Sequence, residues 1–136
     1  MYLLDTHVIS ELRKPQADAN VVSWAKGVIA PRLYISAITL KELETGVLRM
    51  ERRDPAQGKL LRSWLTRHVM PAFEARILPV DAAVALRCAS LHVPDQANES
   101  DALIAATALV HGLTVVTRNV GDFRSSGVAL INPWEH

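Results

Sequence analysis

The chain holds one cysteine, Cys88, among 136 residues. A single thiol forms no internal disulfide and builds no thiolate zinc site, and it fits a reducing compartment. Long apolar runs are missing too. The longest, Ala102 to Val110, is about half the ~20 residues that a membrane span needs. The opening Met1-Tyr2-Leu3-Leu4-Asp5 has no basic stretch and meets a carboxylate at once, so no secretory leader is expected. Neither sign of charge is in clear excess. The 15 Lys and Arg stand against 14 Asp and Glu, a net charge of +1, without the basic surplus usual in nucleic-acid binders. Repeats, low-complexity tracts and Gly/Pro-rich linkers are absent. The expectation is a soluble cytoplasmic chain with no membrane contact, organised as one domain over residues 1–136.

What is present is globular. Apolar residues make up 49% and charged residues 21%, outside the signature of disorder. Short apolar runs alternate with helical patterns. Strands are expected at Tyr2–Leu4, Leu33–Ser36, Ile77–Val80, Thr114–Thr117 and Val128–Ile131, with Pro79 marking an edge or a strand end in the third. Helices are expected at Thr6–Arg13, Asn20–Ile29, Leu40–Met50, Ala56–Met70, Asp81–Val93 and Glu99–His111. The Ala56–Met70 segment sets Leu60, Leu61, Trp64, Leu65 and His68 on one stripe. The last helix is apolar almost all round, hence buried, and ends at Gly112, a residue suited to a left-handed cap. This alternation predicts an α/β fold, a three-layer α/β/α domain around a parallel sheet of four to five strands.

In open parallel sheets, ligands sit beyond the carboxyl ends of the strands. Four acids fall there. Asp5 follows the first strand, and Glu42 is expected in the first turn of the helix after the second. Asp101 lies in the first turn of the buried helix, and Asp122 follows the fourth strand. Each has a structural explanation: Asp5 as a helix cap, Thr39-x-x-Glu42 as a capping box, Asp101 in a capped first turn, Asp122 as a turn cap. Their grouping is harder to explain that way. Two carboxylates ~4 Å apart repel by about 4 kcal/mol at an effective dielectric of 20, against ~1 kcal/mol from a helix dipole. A cation among them removes the cost. Oxygen donors with no Cys and no His pair favour Mg²⁺ or Mn²⁺, which suit phosphate chemistry.

The segments Leu3-Leu4-Asp5-Thr6-His7-Val8-Ile9-Ser10-Glu11-Leu12-Arg13, Asp101-Ala102-Leu103-Ile104-Ala105-Ala106-Thr107-Ala108, Thr117-Arg118-Asn119-Val120-Gly121-Asp122-Phe123 and Val128-Ala129-Leu130-Ile131-Asn132-Pro133-Trp134 carry a resemblance through the whole chain. The sequence resembles the PIN-domain ribonucleases, and among them the VapC toxins of type II toxin–antitoxin modules, FitB-like branch. The resemblance implies that Asp5 and Asp101 are metal-ligand aspartates, Glu42 the second acidic position and Asp122 the fourth acidic region, where Asn119 could share the role. Thr6 and Thr117 match positions where a hydroxyl stands near metal or substrate. Related chains usually carry Asn in place of His7. That ring could meet a phosphate, reach the metal site or point outward, the last being usual for a lone histidine.

The implied activity is Mg²⁺- or Mn²⁺-dependent hydrolysis of RNA. The implied partners are a VapB-like antitoxin, a second copy of the chain as a homodimer, and promoter DNA reached only through the antitoxin. Trp24, Leu61, Trp64 and Leu65 are interface candidates whose simpler reading is core packing. The run Arg49, Arg52, Arg53, Lys59, Arg62 and Arg67 is either a solvated face or a phosphate-binding surface. A receiver-like α/β domain would also gather acids at a sheet edge, but it needs a late lysine, and none follows Lys59. A catalytically weak PIN module serving mainly as the antitoxin's partner in promoter regulation is the other alternative. Setting the four acids aside leaves 10 acids against 15 bases, so the near-neutral total hides an acidic pocket on a modestly basic body.

Overall fold

The computed structural model describes residues 1–136. Five parallel strands form the sheet: β1 (Tyr2–Leu4), β2 (Leu33–Ser36), β3 (Ile77–Leu78), β4 (Thr114–Val116) and β5 (Leu130–Ile131), in the order β3-β2-β1-β4-β5. β3 is an edge strand, where Pro79 just beyond it interrupts no central ladder. The order reverses between β1 and β4, which makes their carboxyl ends the switch point of the sheet.

Successive strand residues point to opposite faces. Leu4, Ile35 and Val116 join the larger core, packed by α1 (Thr6–Arg13), α2 (Ala19–Lys26), α3 (Ala37–Arg53) and the helical stretch after it. Leu3 and Val115 face the other way, toward α7 (Glu99–His111) and α8 (Val120–Phe123). A third cluster, Val84, Cys88, Ala102 and Ala106, joins α6 (Ala82–Leu91) to α7. Helices therefore cover both faces, giving the three layers and five-strand parallel sheet that the alternation of elements predicts.

The 56–70 stripe is only partly right. The chain forms α4 (Pro55–Trp64), widens into a π-helical turn at Leu65–Val69 and closes with α5 (Met70–Ala72). Pro71 has no N–H to return to the preceding turn, so a regular ladder cannot run through it. The widened register buries Leu65 and Val69 and leaves Leu60 (65% exposed) and His68 outside. Gly58 lets α4 lie against α3, because a Cβ there would stand 2.4 Å from the Glu51 Cα. The buried helix and its stop agree with expectation: Ala102, Ile104–Ala106 and Ala108 are buried, and Gly112 ends α7 at φ +67°.

Candidate active site

Asp5 sits where β1 becomes α1. Its backbone N–H still donates to the Val116 carbonyl at 3.0 Å, as in the sheet, while its side chain caps the helix. Oδ1 accepts the Thr6 N–H at 2.7 Å, and Oδ2 accepts the Thr117 hydroxyl at 2.9 Å. Thr117 is fully buried at the end of β4, and its oxygen accepts the Asn119 N–H at 3.0 Å. A chain of donors thus aims at one carboxylate that is itself only 5% exposed. The structural role expected of Asp5 and its place in the acid group coexist.

Thr6 connects Asp5 to the next acid. Its hydroxyl donates to Glu42 Oε1 at 2.6 Å, and the buried Thr39 hydroxyl lies 3.4 Å from the Thr6 hydroxyl oxygen. Glu42 is one turn deeper in its helix than the sequence suggests. The cap of α3 is Ser36, whose Oγ accepts the Thr39 N–H at 3.1 Å, so the helix starts at Ala37 and Thr39-x-x-Glu42 is no capping box. Glu42 is thereby free of capping and turns its exposed carboxylate toward Thr6. Thr39 was not among the expected site residues. The Ser-x-x-Thr pattern at the end of β2 is the signal that could have found it.

Asp101 is half-buried in the first turn of α7, where Asn98 Oδ1 accepts its backbone N–H at 3.0 Å. Its carboxyl group has no hydrogen-bond donor. Burial pushes its pKa up from the ordinary aspartate value, and the charges of Asp5, Asp122 and Glu42 push it further, with His7 acting weakly the other way. One carboxyl therefore feels the other three acids, so the four are brought together electrostatically. Asp122 is exposed on the short α8, held by its N–H to the Asn119 carbonyl at 3.0 Å. His7 is exposed as expected, but its Nδ1 stays within 3.5 Å of Asp5 Oδ2. The Asn119 side chain makes no cap bond.

The carboxylates do not close into a tight cage. No three of them bring one oxygen each within 4.8 Å of one another; the one Cys/His/Asp/Glu group that does so is Cys88, His92 and Glu99. Open, mostly oxygen surroundings fit an ion that keeps several waters and is held by one or two carboxylates.

The chain is similar to known proteins over nearly its whole length. The sequence profile of the PIN domain matches residues 2–125. The chain belongs to the PIN-domain family. Toxin FitB of Neisseria gonorrhoeae is 40% identical over 139 residues, covering 98% of this chain and 99% of the relative. VapC ribonuclease Y4jK of Sinorhizobium fredii is 38% identical over 142 residues, covering 99% of each. The crystal structure of FitAcB from Neisseria gonorrhoeae superposes with a TM-score of 0.93 at 39% identity, over 100% of both chains.

One groove of this PIN domain adjoins the acids, at Glu42. It holds about 170 Å³ and runs from Thr6 and Glu42 past Gly46 to Trp64, over which the Arg13 guanidinium lies at 5.7 Å. Beyond Arg13 and Trp64 it opens into an apolar hollow that includes Leu12, Val69 and Phe73. Of the interface candidates, Trp24 and Leu65 are buried in the core, whereas Leu61 and Trp64 also line the groove. The basic run is less uniform than it looks in sequence. Arg62 grips both oxygens of Glu44 at 2.6 Å and reaches Glu51 at 3.3 Å, which raises its pKa and leaves its positive charge paired. Arg49, Arg52, Arg53, Lys59 and Arg67 remain exposed.

Proposed function

We propose that this PIN domain, taken over residues 1–136, is a VapC-type toxin: a metal-dependent endoribonuclease restrained by a VapB-like antitoxin. The observation that carries the reading is the grouping of Asp5, Glu42, Asp101 and Asp122 beyond the carboxyl ends of the strands, with Asp101 held above its ordinary pKa by burial and then by the charges of the other three. A half-buried carboxyl without a donor, beside three others, is a place for a cation. Asp5 and Asp101 are the proposed ligands for Mg²⁺ or Mn²⁺, with Glu42 and Asp122 close by. When bound, such an ion supplies Lewis acidity to the phosphoryl oxygen, a nucleophilic water at neutral pH and charge for the leaving oxygen.

The chain supplies orientation. Thr117 and the Thr6 N–H fix both oxygens of Asp5, so it needs no rearrangement to bind. The Thr6 hydroxyl holds Glu42 on the same side. Asn119 steadies Thr117 from behind and places Asp122 through its carbonyl. His7, exposed beside Asp5, is positioned to meet a substrate phosphate. No side chain is required as a covalent nucleophile.

The groove beside Thr6 and Glu42, with its apolar extension, suits an amphipathic antitoxin segment, and a basic or polar side chain of that segment would enter the acidic pocket. Promoter DNA would then be reached through the antitoxin, and two toxin chains would form a homodimer in the cytoplasm. Replacing Asp5 or Asp101 by Asn tests the assignment. Cleavage of RNA with Mg²⁺ should fall by at least about a hundredfold in a folded chain, as loss of several kcal/mol of charge stabilisation requires. Full activity in either variant would refute it.

A further inference from the structure

The loop between α6 and α7 stands directly before Asp101, and it is held by very little. From Val93 to Ala97 it makes no backbone–backbone hydrogen bond. Its one hydrogen bond runs from the Ala97 N–H to His92 Nδ1 at 3.0 Å. A neutral histidine that accepts at Nδ1 carries its proton on Nε2. Nε2 lies 3.1 Å from Glu99 Oε2, an ion-pair distance, and 3.8 Å from Cys88 Sγ. A single half-buried ring therefore joins the end of α6, the loop and the first residue of α7. The next two links are short. Asn98 accepts the Asp101 N–H, and Ala97 lines a small cleft together with Asp101 and Asp122.

We propose that His92 is a positioning residue for the metal site, fixing the α6–α7 loop and through it the first turn of α7 that carries Asp101. The inference rests on the metal reading above and adds a residue that touches neither ion nor substrate.

The same three side chains invite another interpretation, because their ligand atoms lie within 4.8 Å of one another, as a soft metal would require. The ring argues against it. A metal at Nε2 needs the lone pair there, so the proton would have to move to Nδ1 and the Ala97 bond would be lost. Cys88 is also a poor donor. Its thiol is buried, and burial together with the Glu99 charge pushes its pKa up, away from the thiolate that binds metal.

Three substitutions separate the contacts. His92→Leu removes both, His92→Asn keeps an acceptor near the Nδ1 position, and His92→Gln keeps a donor near Nε2. Each full chain is compared with wild type by Mn²⁺ calorimetry, by amide exchange at Ala97 and by RNA cleavage kinetics. His92→Leu should weaken Mn²⁺ binding about tenfold, the lower end of what outer partners of metal ligands contribute. It should lower kcat with KM for RNA unchanged and speed Ala97 exchange. His92→Asn should restore all three, and His92→Gln should not. If His92→Leu does not fold, the contrast between Asn and Gln decides the matter. Equal Mn²⁺ affinity in wild type and every folded variant would overturn the inference alone, as would Zn²⁺ binding by wild type that depends on His92. A wild-type chain that binds no Mn²⁺ would overturn the metal reading, and this inference with it.

Discussion

Asp5 caps α1 and Asp101 lies in the first turn of α7, both at the same edge of one sheet, yet the protein treats them in opposite ways. Asp5 is nearly buried and accepts from the Thr6 N–H and the Thr117 hydroxyl. Asp101 is half-buried, has no donor on its carboxyl group and faces three other acids. One charge is satisfied by the fold and the other is left to be satisfied from outside. The pair shows how a site can be both pre-oriented and in need of a ligand: the first carboxylate sets the geometry, and the second supplies the unmet charge.

The most direct way to break that comparison is through stability. Asp5→Ala removes a helix cap and strands the buried Thr117 hydroxyl, and should destabilise the chain by about 2–4 kcal/mol in urea unfolding. Asp101→Asn should do the reverse in metal-free buffer and raise the melting temperature, because it removes repulsion and breaks no side-chain bond. If both variants are destabilised alike, the two aspartates are not the opposites described.

Thr117→Val sharpens the same contrast at smaller scale. It keeps the shape and leaves Asp5 Oδ2 without its buried donor. A loss of about 1–3 kcal/mol is expected, with Mn²⁺ affinity reduced about tenfold or more. Unchanged affinity would mean that Thr117 serves the fold alone.

The pH dependence follows from Asp101. Its folded pKa is raised, so between the ordinary value of about 3.9 and the raised one the native chain holds more protons than the unfolded chain. Asp101's contribution therefore makes the metal-free protein lose stability as pH rises through that window. Asp101→Asn should lack this slope, and saturating Mg²⁺ should suppress it in wild type. A slope that persists in the variant would place its origin elsewhere.

The smallest expected effect concerns the basic run. Arg67 is exposed, whereas Arg62 is engaged by Glu44 and Glu51. Arg67→Gln should reduce the salt slope of RNA binding by about 0.7, and Arg62→Gln should leave it unchanged. Equal effects would show that the Glu44 clamp does not hold Arg62 back from phosphates.

Much of this was legible in the sequence. The β-branched Thr114–Val116 strand, the all-apolar α7 with its Gly112 stop, and the acids at strand ends each follow from local pattern, and Asp101 lies near enough to feel the charges of the other three acids. What was not legible depends on tertiary choices. Whether Ser36 or Thr39 caps α3 moves Glu42 by a turn, and only the packed end of β2 decides between them. Leu60 and His68 leave the expected stripe because a π-helical turn forms ahead of Pro71. The Arg62 clamp needs α3 and α4 side by side, which depends on Gly58. The His92 tether joins residues in a loop that has no periodicity to read.

The proposed site needs both Asp5 and Asp101 to hold a divalent ion. Melting curves of wild type, Asp5→Asn and Asp101→Asn with increasing Mg²⁺ test it most directly. The melting temperature should climb with Mg²⁺ in wild type and stay flat in both variants. A climb of the same size in either variant, or none in wild type, would contradict it.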